Sequence, residues 1–238
     1  VGARNCTPYG RDMARMFSYR LAAAGVFVIS GMALGIDGWG HQGALEAGGE
    51  TYAVLGSGVM RCYPSCHQNL YESIVRHGGV ISEFPVYARA KPVFFPMRNR
   101  IISGLSDGIL VVEAREKSGS LITADAALEQ GKDVFVIPGR IGDELSVGCN
   151  RLIRMGAVPV LTPDDILDYY GVKTSDGSRN VNETEQKILA FLGGKTMHMD
   201  EISAGLSLPM TQLLKCMIVL QKKGYVIEVG RNFFMKKI

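Results

Sequence analysis

Val26-Phe-Val-Ile-Ser30 runs directly into Gly31-Met-Ala-Leu-Gly-Ile-Asp37 and then into helix-compatible sequence as far as Ala47. An apolar, β-branched run without polar alternation belongs to a strand buried on both faces. Glycines immediately beyond it allow the chain to turn tightly into a helix. The same unit recurs on either side. Thr51–Leu55 precedes a helical stretch at Gln68–His77, and Val80–Glu83 is a short apolar run. Ile109–Glu113 precedes Ser120–Gln130, Val134–Ile137 stops at Pro138-Gly139, and Val158–Leu161 precedes Pro163–Tyr170. Upstream, Met13, Met16, Phe17 and Leu21 recur at helical spacing and predict a crossover helix over Asp12–Ala24 packed on the sheet. This alternation predicts an α/β fold, a doubly wound, Rossmann-like, mostly parallel sheet over residues 1–170. Val1–Arg4 reads as the end of a strand entering a loop, so the chain is expected to begin inside a larger gene product.

The rhythm changes after Tyr170. Residues 171–182 are polar and punctuated by glycine and serine, and predict a linker. Residues 183–238 predict three helices and a hairpin, the layout of a winged helix-turn-helix domain. Asn182 or Thr184 can cap the first helix, Asp200 the second, and Leu208-Pro209 opens the third. Tyr225–Val229 and Asn232–Met235 flank a turn at Gly230-Arg231. Charge divides at the same place. Residues 1–170 hold 16 basic and 17 acidic groups, whereas residues 171–238 hold 10 and 6. The small C-terminal domain therefore carries the positive excess.

The whole chain of 238 residues is 47% hydrophobic and 21% charged, ordinary globular usage that excludes global disorder. The apolar stretch Val26–Ile36 is broken by Ser30 and glycines and is too short to span a bilayer. No charged-then-apolar leader is visible. Five scattered cysteines do not form a disulfide framework and fit a reducing cytoplasm. Cys62, Cys66 and His67 lack a fourth ligand, so no metal is expected.

In a doubly wound sheet, ligands sit beyond the carboxyl ends of the strands. Three such loops carry distinctive chemistry. In the first, Ser30 to Gly38, Gly31 and Gly35 permit a tight backbone whose amides can face one anion at a helix start. In the second, Phe95-Pro-Met-Arg98-Asn99-Arg100, the two arginines lie about 200° apart on a helix. One is expected to contact a ligand and the other to brace, with Arg98 as the contact. In the third, Lys117, Ser118, Gly119 and Ser120 precede a helix, a good cradle for phosphate. The spaced Gly-Lys-Ser/Thr of a Walker loop is missing, and Arg61 interrupts the dinucleotide pattern that Gly56-Ser-Gly58 begins. Gly104-Leu-Ser-Asp-Gly108 follows a helix and precedes a strand, the reverse of a nucleophile elbow. His41, His67, His77 and His198 make no metalloprotease pair. Anion-binding loops without a catalytic base, nucleophile, metal or cofactor set point to binding rather than catalysis.

Several segments fall in a recognisable order: Val1-Gly-Ala-Arg4, Ser30–Asp37, Gly56-Ser-Gly58, Tyr63-Pro64, Ser82-Glu-Phe-Pro85, Phe95–Ser103, Lys117–Ala124, Pro138-Gly139 and Gly148-Cys-Asn-Arg-Leu-Ile153. Together they resemble the DNA-processing protein A family (DprA, also called Smf) over residues 1–165. The linker and winged-helix tail resemble that family's usual C-terminal appendage. The resemblance implies a recombination mediator in natural transformation that binds and protects single-stranded DNA, loads RecA recombinase onto it, and dimerises through the larger domain. It implies that Arg4 and Lys117 grip DNA phosphate, with the glycine loop and Phe95–Arg100 lining the same pocket. Phe94 or Phe95 is then available to stack a base or to pack in the core. An upstream helical domain and first strand, common in that family, are not visible here.

Two other readings compete. The sheet and loops are similar to nucleotide hydrolases of the lysine-decarboxylase-like (LOG) family. Ser118–Thr123 lacks the double glycine of their phosphate loop, and no glutamate stands at the required spacing. Alternatively, the winged helix dominates and the protein is a transcription regulator with the sheet as effector sensor.

Overall fold

The computed structural model describes residues 1–172, 182–193, 195–222 and 225–236. Most of the expected linker, residues 173–181, lies outside the described residues. The chain divides into two compact units, Val1–Thr174 and Ser175–Ile238.

In the larger unit, α1 (Pro8–Ala23) starts at Pro8 rather than at Asp12, because Thr7 caps it through a hydrogen bond from the Gly10 amide. Pro at the first helical turn costs no hydrogen bond. There follow β1 (Val28–Ser30), α2 (Ile36–Glu46), β2 (Thr51–Val54), α3 (Gln68–Arg76) and β3 (Gly78–Ile81). Then come α4 (Phe94–Leu105), β4 (Gly108–Val111), α5 (Gly119–Glu129), β5 (Asp133–Val136), α6 (Val147–Arg154), β6 (Val158–Pro159) and α7 (Pro163–Tyr169). All pairings are parallel, in two ladders of order β1-β2-β3 and β4-β5-β6. The sequence predicts one sheet. β1 and β4 do not pair directly; an apolar cleft of about 450 Å³, walled by Val28, Ile29, Ile109 and Phe135, lies between them. Val1–Ala3 runs beside β4, with the Val112 amide on Val1 O (3.2 Å) and the Ala3 amide on Glu113 O (2.8 Å).

Side chains alternate across β4 and β5. Ile109, Val111, Val134 and Val136 pack with Ile102, Ala124 and Leu152 from α4, α5 and α6. Val112, Phe135 and Ile137 pack on the other face with Ala14, Phe17 and Ile166 from α1 and α7. Helices on both faces of parallel strands explain why the strands read as uninterrupted apolar runs. The larger unit is thus a Rossmann-like α/β domain.

The smaller unit has its own core of Ile188, Leu192, Ile202, Leu213, Met217, Leu220 and Phe234. α8 (Glu183–Leu192) is capped by Asn182 with a reciprocal Glu185 contact. α9 (Met199–Leu206) starts earlier than expected, with His198 rather than Asp200 as its cap. α10 (Met210–Lys222) leads to an antiparallel pair, β8 (Val226–Gly230) and β9 (Phe233–Lys236). A two-residue strand that the sequence reading missed, β7 (Met197–His198), adds to β9. Three helices with this small sheet have the winged-helix layout.

Candidate nucleic-acid interface

Three loops meet beyond the carboxyl ends of β1 and β4, and Arg98 ties them together. This arginine is 3% exposed on α4. Its Nη1 donates to Gly31 O (2.7 Å) and to the Val54 carbonyl, and its Nε donates to Asn99 Oδ1 (3.1 Å). Asn99 Nδ2 in turn donates to Gly119 O at the start of α5 (3.3 Å). One continuous chain of hydrogen bonds therefore links the glycine loop, α4 and the α5 loop. The role expected of Arg98 differs from the one its contacts show. A buried guanidinium committed to two carbonyls and an amide is a brace, so Arg98 is corrected from contact to support. Arg100 is exposed and pairs with Glu83. Burial pulls the Arg98 pKa below its ordinary value; Asp37 opposes this and nearby Arg4 adds to it.

The glycine loop also differs from expectation in detail. The Gly31 amide does not face outward; it donates to the buried Asp37 carboxylate (3.2 Å). Gly31 thus sits between Asp37 on its N–H and Arg98 on its C=O. Among the described residues, the amides of Ala33, Leu34 and Gly35 meet no protein acceptor, and these are the donors left for an anion. Gly35 has φ +74°, and a Cβ there would lie 2.3 Å from the carbonyl oxygens of Ala3 and Arg4. Only glycine allows this contact, which brings Arg4 against the loop. Ser30 closes β1, 4% exposed, with no partner for its Oγ.

Arg4 itself is exposed and lies over the Phe95 ring, 5.3 Å from the centroid. Phe95 packs beside Tyr63, centroids 5.4 Å apart, and Tyr63 is half exposed. Sequence reasoning assigned Tyr63 no role; its only signal was its place beside Pro64 in the ordered segments. Phe94 instead stacks on Phe84 at 4.0 Å and belongs to packing.

At the third loop, Ser118 caps α5, accepting from the Ser120 amide, and its hydroxyl lies 2.7 Å from Ser120 Oγ. Ser120 is buried, whereas Gly119 is exposed, with nothing within 4 Å of a would-be Cβ. Lys117 is exposed and has no carboxylate partner among the described residues. Of its two acidic neighbours in sequence, Glu113 is buried and bound by the Thr7 amide (3.0 Å) and hydroxyl, and Glu116 is exposed. Arg4 and Lys117 are exposed cations near backbone donors and a helix N-terminus, features suited to phosphate, with Glu116 exposed beside Lys117. No cluster able to hold a metal ion exists among the described residues.

The family model described as "DNA recombination-mediator protein A" matches residues 1–171. The chain belongs to this family. Protein Smf of Escherichia coli is 38% identical over 98% of the chain. The DNA processing protein A crystal structure from Streptococcus pneumoniae is 40% identical, with a TM-score of 0.66 over 71% of this chain and 59% of its own. A Helicobacter pylori DNA processing protein A structure, whose subject is a single-stranded DNA binding mode, is 28% identical, with the same TM-score over 71% of this chain and 77% of its own. The chain spans 59–66% of the length of the first curated relatives it matches. The family model's span of residues 1–171 falls on the larger unit, which contains all three loops. No single helix among the described residues is long and apolar enough to cross a membrane.

Proposed function

We propose that the larger unit binds single-stranded DNA by its backbone phosphates at the junction of the three loops, as the DNA-holding part of a recombination mediator. The observation that carries this reading is the hydrogen-bond chain from the Gly31 carbonyl through Arg98 and Asn99 to the Gly119 carbonyl, which ties the glycine loop to the start of α5 next to Lys117. Lys117, Ser118 and Gly119 take phosphate together with Arg4 and the amides near Gly35. Phe95 and Tyr63 offer flat faces to a base, the sequence-tolerant part of single-strand binding. Handing the strand to RecA recombinase, a homodimer built through this unit, and a cytoplasmic location belong to the same reading. The five cysteines, all free, accord with a reducing compartment. Nothing in the loops assembles a nucleophile with a base, so the role we assign is binding without catalysis.

The test is Lys117→Ala in a salt series with single-stranded oligonucleotides. Loss of one charge-assisted phosphate contact weakens binding about ten- to a hundredfold. It also flattens the slope of log K against log salt by about 0.7. The loss is the same for different base sequences, because phosphate carries no sequence information. Unchanged affinity and slope would move the site elsewhere.

A further inference from the structure

The loops that follow β2 and β3 have no part in the reading above. β1, β2 and β3 run parallel, so these loops leave the sheet at the same end as the glycine loop. They are fastened to each other. Ser82 Oγ donates to Ser57 O (2.6 Å), the Gly58 amide to Ala88 O (2.9 Å) and the Met60 amide to Val86 O (3.0 Å). A Cβ on Gly58 would collide with the carbonyl oxygens of Pro85 and Val86, so the two backbones touch there. The pair is also fastened to the proposed DNA site. A Cβ on Gly56 would lie 2.7 Å from the Phe95 ring, the same ring that lies under Arg4 and beside Tyr63. Along the sheet edge the glycine loop comes first, Phe95 and Tyr63 next and the paired loops last, on strands about 4.8 Å apart.

The paired loops are one-sided in charge. Residues 55–65 and 84–93 contain Arg61, Arg89 and Lys91 and no Asp or Glu, in a unit whose basic and acidic groups nearly balance. All three cations are exposed, and none has an ion-pair partner among the described residues. Lys91 lies over the Phe94 ring, 5.5 Å from its centroid, on the Phe84–Phe94 stack. Tyr87 sits in the turn closed by the Ala88 amide on Pro85 O (2.8 Å) and is 67% exposed. Neither core packing nor ion pairing accounts for Arg61, Tyr87 and Arg89. Unpaired cations and an exposed ring on a fastened backbone are the parts of a single-strand surface: the cations take phosphate and the ring takes a base. A duplex keeps its base faces stacked and offers none to Tyr87.

We infer that the single strand continues from Phe95 and Tyr63 across these paired loops, with Arg61 and Arg89 on its phosphates and Tyr87 stacked on a base. This rests on the proposal that single-stranded DNA lies at the junction of the glycine loop, α4 and the α5 loop.

The experiment compares wild type with Tyr87→Ala, Tyr87→Phe, the double variant Arg61→Ala/Arg89→Ala, and Lys117→Ala, each checked for an unchanged melting temperature. The probes are oligothymidylates of increasing length and an abasic strand equal to the longest. The double variant weakens binding of the long oligothymidylate at least tenfold and reduces the salt slope by about 1.4, two phosphates at about 0.7 each. Tyr87→Ala weakens the long oligothymidylate about tenfold but leaves the abasic strand unaffected, and Tyr87→Phe binds like wild type. If the double variant and Tyr87→Ala bind every probe like wild type while Lys117→Ala is impaired, the strand does not cross the loops and the inference fails alone. If Lys117→Ala binds like wild type while the loop variants are impaired, the main site lies on the loops and the continuous path is overturned. If all variants bind like wild type, both readings fall.

Discussion

His41 on α2 is fully buried and hydrogen-bonds through Nδ1 to Thr51 Oγ1 at 2.6 Å. The Thr51 hydroxyl proton is already directed to Val28 O, at 2.7 Å. The ring must therefore donate from Nδ1, leaving Nε2 as a buried acceptor with no partner. Burial pulls the His41 pKa down to about 4, with Asp37 opposing. An unfolded chain takes up this proton near pH 6.5, so the folded state is favoured fully above that value. The advantage is lost as pH falls from about 6.5 towards 4, and amounts to at most about 3 kcal/mol. Urea unfolding at a series of pH values should show this slope in wild type and its reduction in His41→Gln. A variant with the same slope as wild type would assign the acid sensitivity to other groups.

At the scale of elements, α1 and α2 approach so closely that a Cβ on Gly43 would lie 2.2 Å from the Arg15 carbonyl oxygen. Alanine normally stabilises a helix interior relative to glycine by about 1 kcal/mol. Here the backbone of α1 cannot yield without moving the helix, so Gly43→Ala should destabilise by about 1–3 kcal/mol, as overpacking does. Thermal melting checks the sign; a stabilised variant would show that the helix pair can separate freely. Sequence made the helices and strands legible because both-face burial leaves unbroken apolar runs such as Ile109–Val112. It made the glycine loop legible as a tight turn and Lys117 as a cation at a helix start. It chose Arg98 over Arg100 as the ligand contact, and nothing in the sequence could correct that choice, because positions two apart look alike until the neighbouring carbonyls of Gly31 and Val54 are placed. It missed α6 as an element and β7 altogether, since two residues carry no periodicity. In α10 it exposed a different limit. Met210, Leu214 and Ile218 are 40%, 50% and 46% exposed, so the apolar positions are not all core. An apolar outward stripe is a poor reader of base edges.

For the molecule as a whole, each unit has a separate core, and every residue proposed to hold DNA lies in the larger one. A chain ending at residue 172 should fold and keep its single-strand affinity within a few-fold. The positive excess of residues 171–238 acts over distance and is screened by salt. The small loss on truncation should accordingly vanish at high ionic strength. Fluorescence anisotropy with single- and double-stranded probes tests this; selective loss of single-strand binding at all salt concentrations would place the main site in the smaller unit.

The Arg98 brace also bears on how this protein comes into being. Its partners Gly31 and Val54 are 67 and 44 residues away along the chain, and Asn99 reaches 20 residues onward to Gly119. Bonds of such sequence separation close only after the two ladders and α4 have docked, because the loop-closure cost comes before the contact. Helices such as α1 can form earlier from local signals. A chain still emerging from the ribosome, or caught half-folded, thus has helices but no anion cradle. If the three loops hold DNA as proposed, single-strand binding is gained only once these distant contacts are made, and on refolding it should lag behind the recovery of helix content.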